Sequence, residues 1–119
     1  QLKDWKDKGV IYIPNARTGE EMPMYYQMVE DFYNNKSRLE IPAKVKMLGI
    51  PFMVIHGTED ESVPQEQALE MKKWNPNITL ELIPGAGHTF GGKHPYHDSN
   101  LPRDLEKVVN QTVAFFKKK

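Results

Sequence analysis

A short uninterrupted apolar run, Pro51-Phe52-Met53-Val54-Ile55, opens directly into a polar loop. A run of this length reads as a strand buried on both faces, and such strands belong inside parallel sheets. The leading proline is tolerated because the first position of a strand is one of the few where the ladder does not need an N–H. Ser62 as N-cap with Gln65 three residues later then predicts a capping box, and a helix with Ala68, Met71 and Trp74 on its apolar stripe ending at Asn75-Pro76. Residues Ile78 to Ile83 predict a second strand. Here Thr79 and Glu81 alternate with Ile78, Leu80 and Leu82, the pattern of an edge strand with one less buried face.

Strand, helix, strand in that order implies a right-handed crossover and a parallel pair, so the fold class is α/β. A last helix starting near Pro102 carries Leu105, Val108, Val109, Thr112, Phe115 and Phe116 on one face, suited to docking on a sheet. Two parallel strands are too few, because the first would leave a free edge and bare side chains in water. Something outside this segment is expected to cover it.

Upstream, Ile41, Val45 and Leu48 fall at helical spacing, with Pro42 in the first turn and Gly49 at the stop, predicting a short helix. Val10-Ile11-Tyr12-Ile13 predicts a strand closed by Pro14-Asn15. Met24, Met28, Val29, Phe32 and Tyr33 predict a helix from about Pro23 to Asn34. That stripe reads as packing, with the wall of a ligand cleft as the alternative.

Charge and composition exclude several classes. The 16 Lys+Arg of the 119 residues balance 16 Asp+Glu, which argues against a nucleic-acid partner, since phosphate binding needs a basic excess on one face. The basic run Lys117 to Lys119 reads as a solvated helix end. No apolar stretch reaches the ~18 residues of a membrane span, so no membrane partner is expected. Without cysteine there is neither a disulfide framework nor a thiolate metal site. The chain opens at Gln1 with no signal-peptide pattern, and the expectation is that translation began elsewhere. Localisation is left open.

Each parallel strand is followed by a polar loop at its C-terminal end, where open α/β sheets place ligands and catalytic groups. The first loop runs His56-Gly57-Thr58-Glu59-Asp60-Glu61-Ser62-Val63-Pro64, the second Pro84-Gly85-Ala86-Gly87-His88-Thr89-Phe90-Gly91-Gly92. Neighbouring strands lie about 4.8 Å apart, so a carboxylate on one loop and an imidazole on the other can meet. Asp60 and His88 are the candidate pair. Glu59 and Glu61 read as solvated charges, and His56 as a positioning or packing residue. His88, His94, His97 and Asp98 raise a metal site, but their spacings are not those of a helical ligand pair, so neither a metal nor a cofactor is expected.

A hydrophobic strand running into H-G-x-x-D-x-x-V-P, then a helix, a strand and G-x-G-H, resembles the C-terminal third of the α/β-hydrolase fold. Its esterase, dienelactone-hydrolase-like and prolyl-oligopeptidase-like branch is the nearest in pattern. The resemblance covers about Ile50 to Phe116 and keeps that family's order, acid then histidine. It implies that Asp60 orients His88 and that His88 activates a serine, for hydrolysis of an ester or peptide bond in a small or medium substrate. It also implies a division into a lid or insertion-like segment, 1–44, and the C-terminal part of the core, 45–119.

The family's serine lies on an upstream G-x-S-x-G elbow, and none of the serines here has that setting. Ser37 is in an Asn-Lys-Ser-Arg loop, Ser62 reads as a helix cap and Ser99 lies in a polar turn. The expectation is a fragment that supplies the acid and the histidine without the nucleophile. The partner expected is the missing N-terminal half of the fold, or a second copy. The alternative is an inert or non-enzymatic module associating through its exposed sheet edge.

Overall fold

The computed structural model describes residues 2–118. The chain divides into two compact units, Gln1–Glu40 and Ile41–Lys119.

In the first unit, α1 (Leu2–Lys8) leads into an antiparallel hairpin of β1 (Val10–Pro14) and β2 (Glu21–Tyr25), followed by α2 (Gln27–Asn34) and α3 (Lys36–Leu39). The hairpin register runs from Val10 opposite Tyr25 to Pro14 opposite Glu21. Its connection is held by the Asn15 side chain, whose Oδ1 accepts the Arg17 amide at 3.0 Å. Gly19 there takes φ +73°, a left-handed conformation that glycine adopts without a Cβ penalty. Trp5 is the buried aromatic of this unit; its Nε1–H donates to the Met24 carbonyl at 2.9 Å and its ring meets Tyr26 edge-on.

The helix expected from Pro23 starts instead at Gln27, because Met22 to Tyr25 pair with β1. Met22 and Met24 lie two apart on the strand, opposite Ile13 and Ile11, and the helical periodicity begins only with Met28 and Val29. Pro23 is compatible with a two-stranded ribbon, which has outer edges that need no donor. Ser37 lies in α3 rather than in a loop.

The second unit contains α4 (Ile41–Met47), β3 (Met53–Gly57), α5 (Gln65–Trp74), β4 (Thr79–Ile83) and α6 (Arg103–Lys117). Strands β3 and β4 are parallel, from Met53 opposite Thr79 to Gly57 opposite Ile83. Helix α5 packs on both strands and on α4. Asn75, just past α5, is buried and uses its amide as a clamp: Nδ2–H donates to the Val45 carbonyl at 3.0 Å and to that of Leu48 at 3.3 Å. Burying an amide this way is tolerated because its hydrogen bonds are made.

The core of this unit is Val45, Ala68, Ile78, Ile83 and Ala86, with Ile78 and Ile83 the large side chains fully enclosed. Each such isoleucine contributes about 1.5–3 kcal/mol by leaving water. The strand pattern is thus corrected in two respects. The apolar strand is shifted to Met53–Gly57, with the Phe52 carbonyl accepting the Thr79 amide at 2.9 Å, and its residues Met53 to His56 are half-buried rather than enclosed on both faces. Strand β4 does lie at an edge of the sheet formed by the described residues, but it has no less buried face, since Thr79 and Glu81 are half-buried like Leu80 and Leu82. It ends in Ile83, and its Glu81 is half-buried where Gln111 of α6 reaches it at 3.4 Å.

The reason lies in what covers each strand. Among the described residues β3 and β4 form a two-stranded sheet, so each strand keeps one free edge. Helix α6 is likewise only partly covered. Leu105, Val108, Thr112 and Phe115 are half-buried, whereas Val109, Val113 and Phe116 are exposed. No described helix is long and apolar enough to cross a membrane.

Candidate functional site

The site forms where the loops after β3 and β4 are drawn together. At the end of β3, Gly57 leaves no room for a side chain, since a Cβ there would lie 2.2 Å from the Ala86 carbonyl oxygen. That close approach lets the ladder continue past the strands. The Thr58 amide donates to Ile83 O at 3.1 Å and the Glu59 amide to Ala86 O at 3.0 Å. A side chain closes the link in the other direction, as the Gly85 amide donates to Thr58 Oγ1 at 2.8 Å. Buried Ile83 and Ala86 anchor the second loop beneath these bonds.

Asp60 follows at once. Its Oδ1 accepts the amides of Ser62 and Val63, each at 2.9 Å, an Asx turn built around the carboxylate. Its Oδ2 lies 2.9 Å from His88 Nδ1. The Asp60 side chain is 5% exposed, whereas that of His88 is 56% exposed. Burial pushes the Asp60 carboxyl upward, but the hydrogen bonds from Val63, His88 and Ser62 and the charge of His88 outweigh it and hold the group below its ordinary 3.8. The carboxylate is therefore ionised at neutral pH, and it favours the tautomer of His88 that carries its proton on Nδ1. Nε2 of that ring then keeps its lone pair.

These bonds correct the capping reading of Ser62. Helix α5 begins at Gln65 with Pro64 at its N-cap and no side-chain cap. The Ser62 amide is instead a donor to the acid, so the segment that resembles a capping box is part of the carboxylate's cradle.

His56 stands on β3 with its side chain 13% exposed, Nε2 at 2.9 Å from the Val63 carbonyl and 3.7 Å from Asp60 Oδ2. Glu59 and Glu61 are exposed and join Ser62, Gly85, Gly87 and His88 in lining a shallow depression of about 310 Å³ beside the imidazole. Past His88 the loop turns sharply. Phe90 takes φ 53°, and a Cβ on Gly91, at φ +84°, would press on Pro102 at 3.0 Å. Further on, the Tyr96 hydroxyl donates to the Asn100 carbonyl. Burial and the neighbouring Asp98 raise the Tyr96 hydroxyl above its ordinary value. His94, His97 and Asp98 do not converge with His88: no group of metal-ligating side chains that could hold an ion occurs among the described residues.

Sequence reasoning missed Thr58 and the amides of Ser62 and Val63. For the amides a signal was present, since an Asp followed two residues later by Ser is an Asx-turn pattern as readily as a cap. Thr58 carried none, because its role depends on how closely two loops distant in sequence approach.

A parallel strand pair, an acid on the first strand's loop and a histidine on the second's define an α/β protein with a hydrogen-bonded Asp–His pair at the C-terminal rim of its sheet. A family model for the alpha/beta hydrolase fold matches residues 14–95, more than half of the chain. The chain belongs to the alpha/beta hydrolase fold family. Its structure is similar to the crystal structure of a protein from Agrobacterium vitis S4 assigned as a hydrolase, with 19% identity and a TM-score of 0.65. The likeness covers 97% of this chain but 40% of that one. Comparison with curated proteins found no match.

Proposed function

We propose that this chain supplies the acid and the histidine of a serine hydrolase, acting on an ester or peptide bond in a small or medium substrate, with the nucleophile carried by polypeptide outside these residues. The observation that carries the reading is the bond from His88 Nδ1 to a carboxylate already held by two amides. An imidazole oriented this way offers Nε2 as a general base. The serine oxygen bonds to the substrate carbonyl carbon as its proton passes to Nε2. The same proton then leaves with the departing alcohol or amine as its bond to carbon breaks, and water repeats the sequence to release the acid. Asp60 stays ionised throughout and stabilises the imidazolium.

The length comparison supports the nucleophile lying elsewhere, as this chain spans 40% of the structure it resembles. Residues 1–44 serve in this reading as a lid or insertion, and 45–119 as the C-terminal part of the core. The test is esterase activity of a polypeptide extended to include a G-x-S-x-G strand–turn–helix segment. His88→Ala and Asp60→Asn are expected to lower its kcat by roughly 10⁴-fold with the fold retained. Full activity in folded His88→Ala protein ends the proposal.

A second reading is favoured by the free edge of β3 and the exposed Val109, Val113 and Phe116 of α6. In it the chain by itself is catalytically inert and self-associates through that edge. Light scattering separates the cases, a clean monomer counting against self-association.

A further inference from the structure

The geometry points to His56 as the residue that positions Asp60, holding the acid loop against β3 through the Val63 backbone, and this inference rests on the relay proposed above. Three links make one circuit. His56 Nε2–H donates to the Val63 carbonyl at 2.9 Å, the Val63 amide donates to Asp60 Oδ1 at 2.9 Å, and Asp60 Oδ2 accepts from His88 Nδ1 at 2.9 Å. Both backbone polar groups of Val63 are thereby used, the carbonyl toward the strand and the amide toward the acid. The loop from His56 to Val63 is closed by a side chain fixed in the strand ladder, where His56 pairs with Leu82.

The donor role also fixes the chemistry of His56. Because a carbonyl only accepts, Nε2 carries a proton, and that nitrogen is a donor here, not a base. Nε2 lies 3.7 Å from Asp60 Oδ2, beyond hydrogen-bond reach, so His56 acts on the acid through the Val63 backbone. Among the described residues, His56 and His88 are the charged or titratable side chains within ion-pair distance of that carboxylate. Their tasks divide: His88 takes the outward oxygen into chemistry, and His56 keeps the loop from swinging. Without the donor, the Val63 carbonyl loses its partner and the Asx turn loses its anchor to the sheet.

The experiment compares wild type, His56→Leu and His56→Gln, whose amide restores an N–H donor of similar reach. The readouts are the ¹³C carboxyl titration of Asp60 and, in the nucleophile-bearing polypeptide, kcat and KM. In folded His56→Leu protein the Asp60 midpoint is expected to rise toward the ordinary 3.8. The kcat is expected to fall roughly 10- to 100-fold with KM little changed. His56→Gln returns both toward wild type. An unmoved Asp60 midpoint in folded His56→Leu overturns the inference. Should that variant not fold, the ¹⁵N tautomer of His56 in wild type decides: a neutral ring protonated on Nδ1 overturns it, and one protonated on Nε2 supports it. If Asp60→Asn and His88→Ala leave hydrolysis untouched, the proposed function fails, while the Asp60 midpoint still decides what His56 does.

Discussion

The two compact units are built with similar local hydrogen bonds but differ in what lies beneath them. In the first, the hairpin connection is held by Asn15 and Gly19, yet Trp5 is its one buried large side chain among the described residues, and Tyr12, Tyr25, Met28 and Tyr33 stand in solvent. In the second, the polar loops carrying Asp60 and His88 rest on Ile83 and Ala86, with Ile78 enclosed just before β4. A hydrogen-bonded loop holds a side chain in place when an apolar anchor lies within a few residues of it. The loop after β4 has such anchors, and the hairpin of the first unit has Trp5 alone.

That contrast is sharpened most by Gly57→Ala. The added Cβ meets a backbone oxygen rather than a flexible side chain, so the loops must part or the strands shift. The expected loss is about 3 kcal/mol or more, seen as a large drop in the chemical-denaturation midpoint. A variant as stable as wild type breaks the account of how the loops are joined.

Ile78→Ala is expected to cost about 2–5 kcal/mol, as for other large-to-small changes at enclosed positions. Trp5→Phe in the first unit keeps an aromatic ring but loses the five-membered ring of the indole and its bond to Met24, and the lost hydrogen bond alone is expected to cost about 0.5–1.5 kcal/mol. Equal losses at the two positions, measured by hydrogen exchange in each unit, erase the distinction between them.

The smallest effect is a pH dependence. The folded-state pKa of Asp60 lies below its ordinary 3.8, so its contribution to stability is complete above that value and is lost as pH falls through the lower folded value. Asp60→Asn is expected to flatten the acid limb of the stability curve of the second unit. An acid limb identical to wild type contradicts the carboxylate's cradle.

What could be read from the sequence follows the same division. Strands and helices of the second unit are visible because each has a strong period or an unbroken apolar run, as at Met53 to Ile55 and along α6. That Asp60 and His88 approach each other is readable from their loops following neighbouring parallel strands. The burial of β3 was not readable, because a run apolar on both faces reports the sheet it belongs in, whereas exposure depends on the strands that flank it. The sequence leaves Ser62 ambiguous because its side chain suits a helix cap while its amide suits an Asx turn, and only the position of Asp60 decides. The start of α2 was misread because Met24 lies at helical spacing from Met28 while also alternating along β2.

Whether Asp60 orients the imidazole is decided by the ¹⁵N spectrum of His88 at a pH where its ring is neutral. A proton on Nδ1 is expected in wild type, held there by Asp60, with a shift toward the Nε2-protonated form in Asp60→Asn. An Nε2-protonated ring in wild type, unchanged by removing the carboxylate, contradicts that role.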